Sequence, residues 1–146
     1  MHPFPSTHEE IAAFVSAFEA GTLPKECWTH AAHILSGAWY VHALGPEAAL
    51  AEMRRRIRAY NESVGTQNTD TSGYHETITV FWIRILAAEL GRRPEATRAA
   101  FVTEAVEHFG RQRDILTRYY SFNVVKSTEA RRMWIEPDLM TIGASS

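Results

Sequence analysis

Two short segments carry most of the chemistry this chain offers: Trp28-Thr29-His30-Ala31-Ala32-His33 and Gly73-Tyr74-His75-Glu76-Thr77. Imidazole is the commonest metal-donating side chain, and three imidazoles with an open fourth position make a catalytic zinc site. His30 and His33 are spaced three apart, which places them on neighbouring positions of one helix face. His75 begins another helix, and bundle cores assemble ligand sets from facing helices. The expected cofactor is a divalent metal bound by His30, His33 and His75. Zinc or iron(II) suits nitrogen donors better than magnesium or calcium. Glu76 would then be the fourth ligand or the general base for a metal-bound water. The expected activity is hydrolysis or proton transfer on a small polar substrate.

Other readings of the same residues stand beside this one. A His-x-x-His spacing recurs by chance, and buried imidazoles often just donate to backbone carbonyls. His75 and Glu76 are adjacent, so their side chains diverge by about 100° on an ideal helix. The alternatives are a metal-free pocket that binds a small ligand without chemistry, or a structural or interaction protein. The last could be a homodimer joined through an exposed helix face. Ring nitrogens converging on one point favour the metal, whereas nitrogens aimed at backbone carbonyls favour a structural role. Tyr120 and Arg131, in donor-rich segments near the C-terminus, are candidates to orient a substrate; the alternative is that this region closes the end of a bundle. Cys27 fits a small apolar packing role better than a nucleophile. No Walker loop, dinucleotide-binding glycine pattern or nucleophile elbow is present.

The elements that must position these residues are helical. Ser6 to Glu9 offers a capping box, followed by Ile11, Phe14, Val15 and Phe18 at helical spacing, with Gly21 as the stop. A second helix starts near Pro24 or at Thr29 and runs to Gly45. A third follows Pro46 through Leu50, Met53, Ile57 and Tyr60 toward Gly65. The fourth is predicted from Ser72 or Gly73 to Glu89 or Leu90, apolar over most of its circumference, with only Thr77, Arg84 and Ala88 outward. Such a helix is usually central. A fifth follows Pro94 to Gly110, a sixth covers Arg113 to Tyr120, and a last turn or two lies around Thr128 to Trp134. Between the third and fourth helices runs a wholly polar loop, Thr66 to Gly73, able to present hydroxyls and amides to a neighbouring site. With no strand-like alternation or linker, the pattern predicts an all-α bundle of five to six helices in a single domain spanning residues 1–146. The tail from Ile142 to Ser146 is expected to be loose.

Composition narrows the classes further. The 146 residues are 45% hydrophobic, enough for a substantial core. The 15 basic and 17 acidic residues leave a net charge of -2, which argues against a phosphate-backbone binder and hence against a nucleic-acid partner. The arginines at 54, 55, 56 and 58 are expected on a solvated helix face. A single cysteine excludes an intrachain disulfide and is consistent with a reducing, cytoplasmic setting. No signal peptide and no run of about 20 apolar residues is present, so a membrane partner is not expected.

The two histidine segments, extended to Gly73-Tyr74-His75-Glu76-Thr77-Ile78-Thr79, resemble a pattern in small bacterial proteins of unassigned function. Tyr119-Tyr120-Ser121, Ala130-Arg131 and Trp134 to Pro137-Asp138-Leu139 are similar too. The resemblance covers most of the chain and implies no activity. A more distant similarity is to the metal-dependent DinB-like bundles, which also gather three histidines. Their histidine pair is usually four apart and late in the chain, while His30 and His33 are three apart and early.

Overall fold

The computed structural model describes residues 4–112 and 114–143. Among them are seven α-helices and no strand. Five are long: α1 (His8–Ala20), α2 (His30–Leu44), α3 (Pro46–Ser63), α4 (Glu76–Arg92) and α5 (Arg98–Phe109). Two are short, α6 (Leu116–Tyr119) and α7 (Thr128–Arg132), and a 3-10 turn spans Lys25–Cys27. The all-α bundle expected from the periodicity is what forms. The expected start of α6 at Arg113 and the end of the tail fall outside the described residues.

Side chains set where the helices begin. The capping box predicted at Ser6 and Glu9 forms one residue later, at Thr7 and Glu10. The Glu10 N–H donates to Thr7 Oγ1 at 3.2 Å, and the Thr7 N–H donates back to Glu10 Oε1 at 3.1 Å. Glu10 also accepts the Ser6 N–H, so one carboxylate serves two amides before the helix. Thr29, Thr97 and Ser127 cap α2, α5 and α7 through their hydroxyls, each satisfying an amide of the first turn.

The start of α4 departs furthest from expectation. Gly73 is not helical: its φ of 79° closes the polar loop instead. A Cβ there would sit 2.6 Å from both Asn68 Oδ1 and the Gln67 carbonyl, so only glycine fits. Asn68 ties the loop together, because its Oδ1 accepts both the Tyr74 N–H and Asn61 Nδ2, each at 3.0 Å. The helix then begins at Glu76, with His75 as its cap.

α2 lies against α3, α4 and α5, while α4 touches α2, α3 and α7. α2 therefore shares the central position predicted for α4. Gly37 permits this approach, since a Cβ there would meet Leu86 Cδ1 at 3.0 Å. Ile34, Leu35, Val41, Phe81 and Leu86 are almost completely buried in the shared core. Thr77 was expected to face outward and is fully buried. The C-terminal segment covers it: Thr77 Oγ1 donates to the Met133 carbonyl at 2.7 Å and accepts the Ile135 N–H at 3.1 Å. No helix among the described residues is long and apolar enough to cross a membrane.

Candidate functional site

Each of the three histidines has a ring nitrogen on a backbone carbonyl. His30 Nε2 donates to Phe109 O at 3.1 Å, and His33 Nδ1 to Thr29 O at 2.8 Å. His75 Nε2 donates to Val124 O at 2.9 Å while its Nδ1 accepts the Ile78 N–H at 3.2 Å. Those two bonds together require the Nε2–H tautomer and use both ring nitrogens of His75. His42, on another face, behaves alike, donating to Ala96 O at 2.9 Å. Among the described residues no three His, Cys, Asp or Glu side chains are gathered so as to hold an ion. In this arrangement the residues do not fit a three-imidazole metal centre, because His75 has no lone pair to give.

Burial disfavours the charged form of two of them, His33 and His75. It pushes the His33 imidazole down to about 4, against the opposing pull of the Thr29 carbonyl, and His30 adds a smaller push the same way. His75 is also lowered, by burial first and by the nearby Arg131 charge, despite its bond to Val124.

Glu76 is engaged as well. Arg54 Nε lies 3.0 and 3.1 Å from its two oxygens, Arg54 Nη2 makes a further contact, and the Tyr74 hydroxyl donates to Oε1 at 2.6 Å. Burial works against the Glu76 charge, but these bonds outweigh it and hold the carboxyl below its usual range. A carboxylate so held is a weak base. It joins α3 to the start of α4, and it draws Arg54 out of the solvated face predicted for the arginine cluster.

The two substrate-orienting candidates separate. Tyr120 is buried, donates its hydroxyl to Ile135 O at 2.7 Å, and borders a cavity of about 530 Å³ beside Phe122 and Leu139. Arg131 lines a different cleft. Its Nη1 donates to the Gly73 and Tyr74 carbonyls at 2.9 and 3.4 Å, and its Nη2 to Val125 O at 3.4 Å. Cys27 is exposed rather than packed.

That second cleft is where the two histidine segments meet. It measures about 430 Å³, and both His33 and His75 line it. Trp28 comes from the approach to α2, Tyr60 and Asn61 from α3, and Ile78 from α4. Thr66 and Gly73 bring in the polar loop, and Val125 and Arg131 the C-terminal segment. Trp28 stacks on Phe18, with ring centroids 4.3 Å apart and an angle of 12° between the planes. Such a stacked aromatic pair holds the indole in place. Tyr60 donates its hydroxyl to Leu23 O at 2.7 Å. His30 and Glu76 do not line the cleft. Sequence reasoning missed Tyr60, Asn61 and Ile78 as cleft residues, because each sits at an ordinary core position of its helix. The wholly polar loop was the usable signal for Thr66 and Gly73.

No family model, no curated protein and no solved structure matches this chain.

Proposed function

We propose that this chain is a binding domain for a small organic molecule, received without a metal in the cleft between α2, α3, the start of α4 and the C-terminal segment. The observation that carries this reading is the cleft itself. Its volume of about 430 Å³ lies within the range of about 300–1,000 Å³ usual for ligand pockets. Its walls come from four separate stretches of chain, 25–33, 57–66, 73–79 and 125–131, and combine apolar groups with a few fixed polar ones. The anchored imidazoles support the metal-free form, because each has a ring nitrogen on a backbone carbonyl and His75 has both nitrogens engaged.

The test is a ligand-observed NMR screen of small organic compounds against wild type and Ile78→Trp, which fills the cleft. Saturable binders should be found, and the variant should lose them while keeping its helical circular dichroism. Binders that persist in Ile78→Trp would place the site elsewhere.

A metal-dependent hydrolase at this cleft is the competing reading. The neutrality of His33 favours it, since neutral imidazole is the coordinating form. It would require His75 to surrender its bond to the Ile78 amide. Elemental analysis of tag-free protein decides between the two. Near-stoichiometric zinc or iron, lost in His33→Ala at the cleft wall, would overturn the metal-free reading.

A further inference from the structure

Resting on that reading of the cleft, we infer that its ligand is an organic carboxylate with an apolar body. The charges lining the cleft are of one sign. Lys25 and Arg131 border it, and no aspartate or glutamate does. Neither cation is in an ion pair among the described residues.

Arg131 is the more telling of the two. It is half-buried, and its partners are the carbonyls of Gly73, Tyr74 and Val125. Carbonyl dipoles orient a guanidinium and replace some of its water, but they leave its full charge in place. A guanidinium held in place at a cleft wall is ready to pair with an opposite charge that enters. Arg54 shows the contrast, since Glu76 neutralises it. His33 adds no second requirement for an anion, because burial holds it neutral at pH 7.

The carboxylate follows from the shape of the donor. A planar guanidinium matches a planar carboxylate, and Lys25 adds a mobile point charge at the rim. The apolar body follows from Ile57, Val64, Ile78 and Val125, which supply walls with nothing to offer a polar chain. His33 and Thr66 leave room for a limited number of hydrogen bonds beside the charged head.

The experiment measures binding of benzoate, hexanoate and neutral benzamide by NMR titration at low and high salt. It uses the full chain as wild type, Lys25→Gln and Arg131→Gln. Lys25 is exposed and lies outside the core, so its variant keeps the fold if Arg131→Gln does not. Benzoate or hexanoate should bind at least about tenfold more tightly than benzamide, the loss expected when a charge-assisted bond is removed. Lys25→Gln should weaken the acids by about threefold or more, and added salt should weaken them in wild type. Benzamide binding as well as benzoate, or Lys25→Gln leaving the acids unchanged, would overturn the carboxylate inference and leave the cleft reading standing. Failure of both acids to bind wild type would overturn the carboxylate inference, while the cleft reading falls only if the wider screen finds no binder that Ile78→Trp loses.

Discussion

His75→Ala separates the structural role of this imidazole from any role as a ligand. Three contributions are lost. Nδ1 caps α4 at Ile78, and removing a cap acceptor costs about 1 kcal/mol. Nε2–H bonds the Val124 carbonyl, which also accepts the Ser127 N–H at 3.2 Å. That carbonyl keeps a partner in the variant, so losing the imidazole bond costs about 1 kcal/mol rather than the larger penalty of an orphaned acceptor. His75 is only 8% exposed. The space its ring vacates adds about 1 kcal/mol. The sum is about 3 kcal/mol. For a chain of this length that corresponds to a fall of roughly 6–12 °C in Tm. His75→Asn can still offer an oxygen to the Ile78 amide and should recover about 1 kcal/mol of the loss. Urea unfolding at pH 7.5 measures both variants, with and without EDTA. A His75→Ala midpoint within about 0.5 kcal/mol of wild type would refute the reasoning. So would a drop of the wild-type midpoint in EDTA as large as the one the mutation causes.

Three further outcomes follow from the same geometry. The neutral imidazoles make stability depend on pH: His33 titrates near 6.5 unfolded and about 4 folded, and His75 is lowered too. The unfolded chain therefore binds more protons between those values, so stability is full above pH 7 and falls as pH drops from about 6.5 toward 4. The His33 shift is worth about 3 kcal/mol at face value and about 2 kcal/mol after allowing for partial exposure. A urea midpoint unchanged from pH 7.5 to 5, or the same slope in His33→Gln, would contradict this. Thr77→Val keeps the shape but strands the Met133 carbonyl and the Ile135 amide. It should cost about 2 kcal/mol and raise hydrogen exchange around residues 133–135 before elsewhere. Gly73→Ala should cost more than Gly65→Ala by equilibrium unfolding, because both glycines have positive φ but only Gly73 would bring its Cβ into the backbone. Strain alone is about 1 kcal/mol, and equal losses would show that the close contact at 73 relaxes freely.

What was legible in the sequence was local. Of the two starts the sequence offered for α2, Pro24 and Thr29, the Thr29 hydroxyl is the cap that forms, and the Pro46 ring opens α3 where expected, because a cap or a fixed φ acts within one turn. Gly73 misled for the same reason. Next to an apolar run it looks like a helix start, and only Asn68, five residues earlier, shows that the left-handed turn claims it. Thr77 was misplaced because what buries it is residues 133–135, which no helical wheel can see. The histidine segments were singled out for their chemistry, and His33 and His75 do line one cleft. The sequence could not say whether the imidazoles faced one another or faced carbonyls, since type and spacing are the same in both cases.

The carbonyls they face explain how the C-terminal segment is ordered at all. α6 and α7 have four and five residues, too short to hold together by their own hydrogen bonds. The segment is held instead by side chains near the start of α4. His75 takes Val124, Thr77 takes Met133 and Ile135, and Arg132 reaches back to Asp70 in the loop. Arg131 completes the set on Gly73 and Tyr74. Val125 and Arg131 are also the outer wall of the cleft. The anchors and the cleft wall are thus one structure, and under the proposed binding role their free energies are linked: a ligand touching Val125 and Arg131 would stabilise the anchored segment, and breaking an anchor would weaken its binding. His75→Ala should therefore reduce benzoate affinity as well as stability, although His75 need make no bond to benzoate. Benzoate should in turn slow hydrogen exchange across residues 124–135. If exchange there does not slow and the variant binds benzoate as tightly as wild type, the ligand grips the helices alone and the C-terminal segment is only a cover.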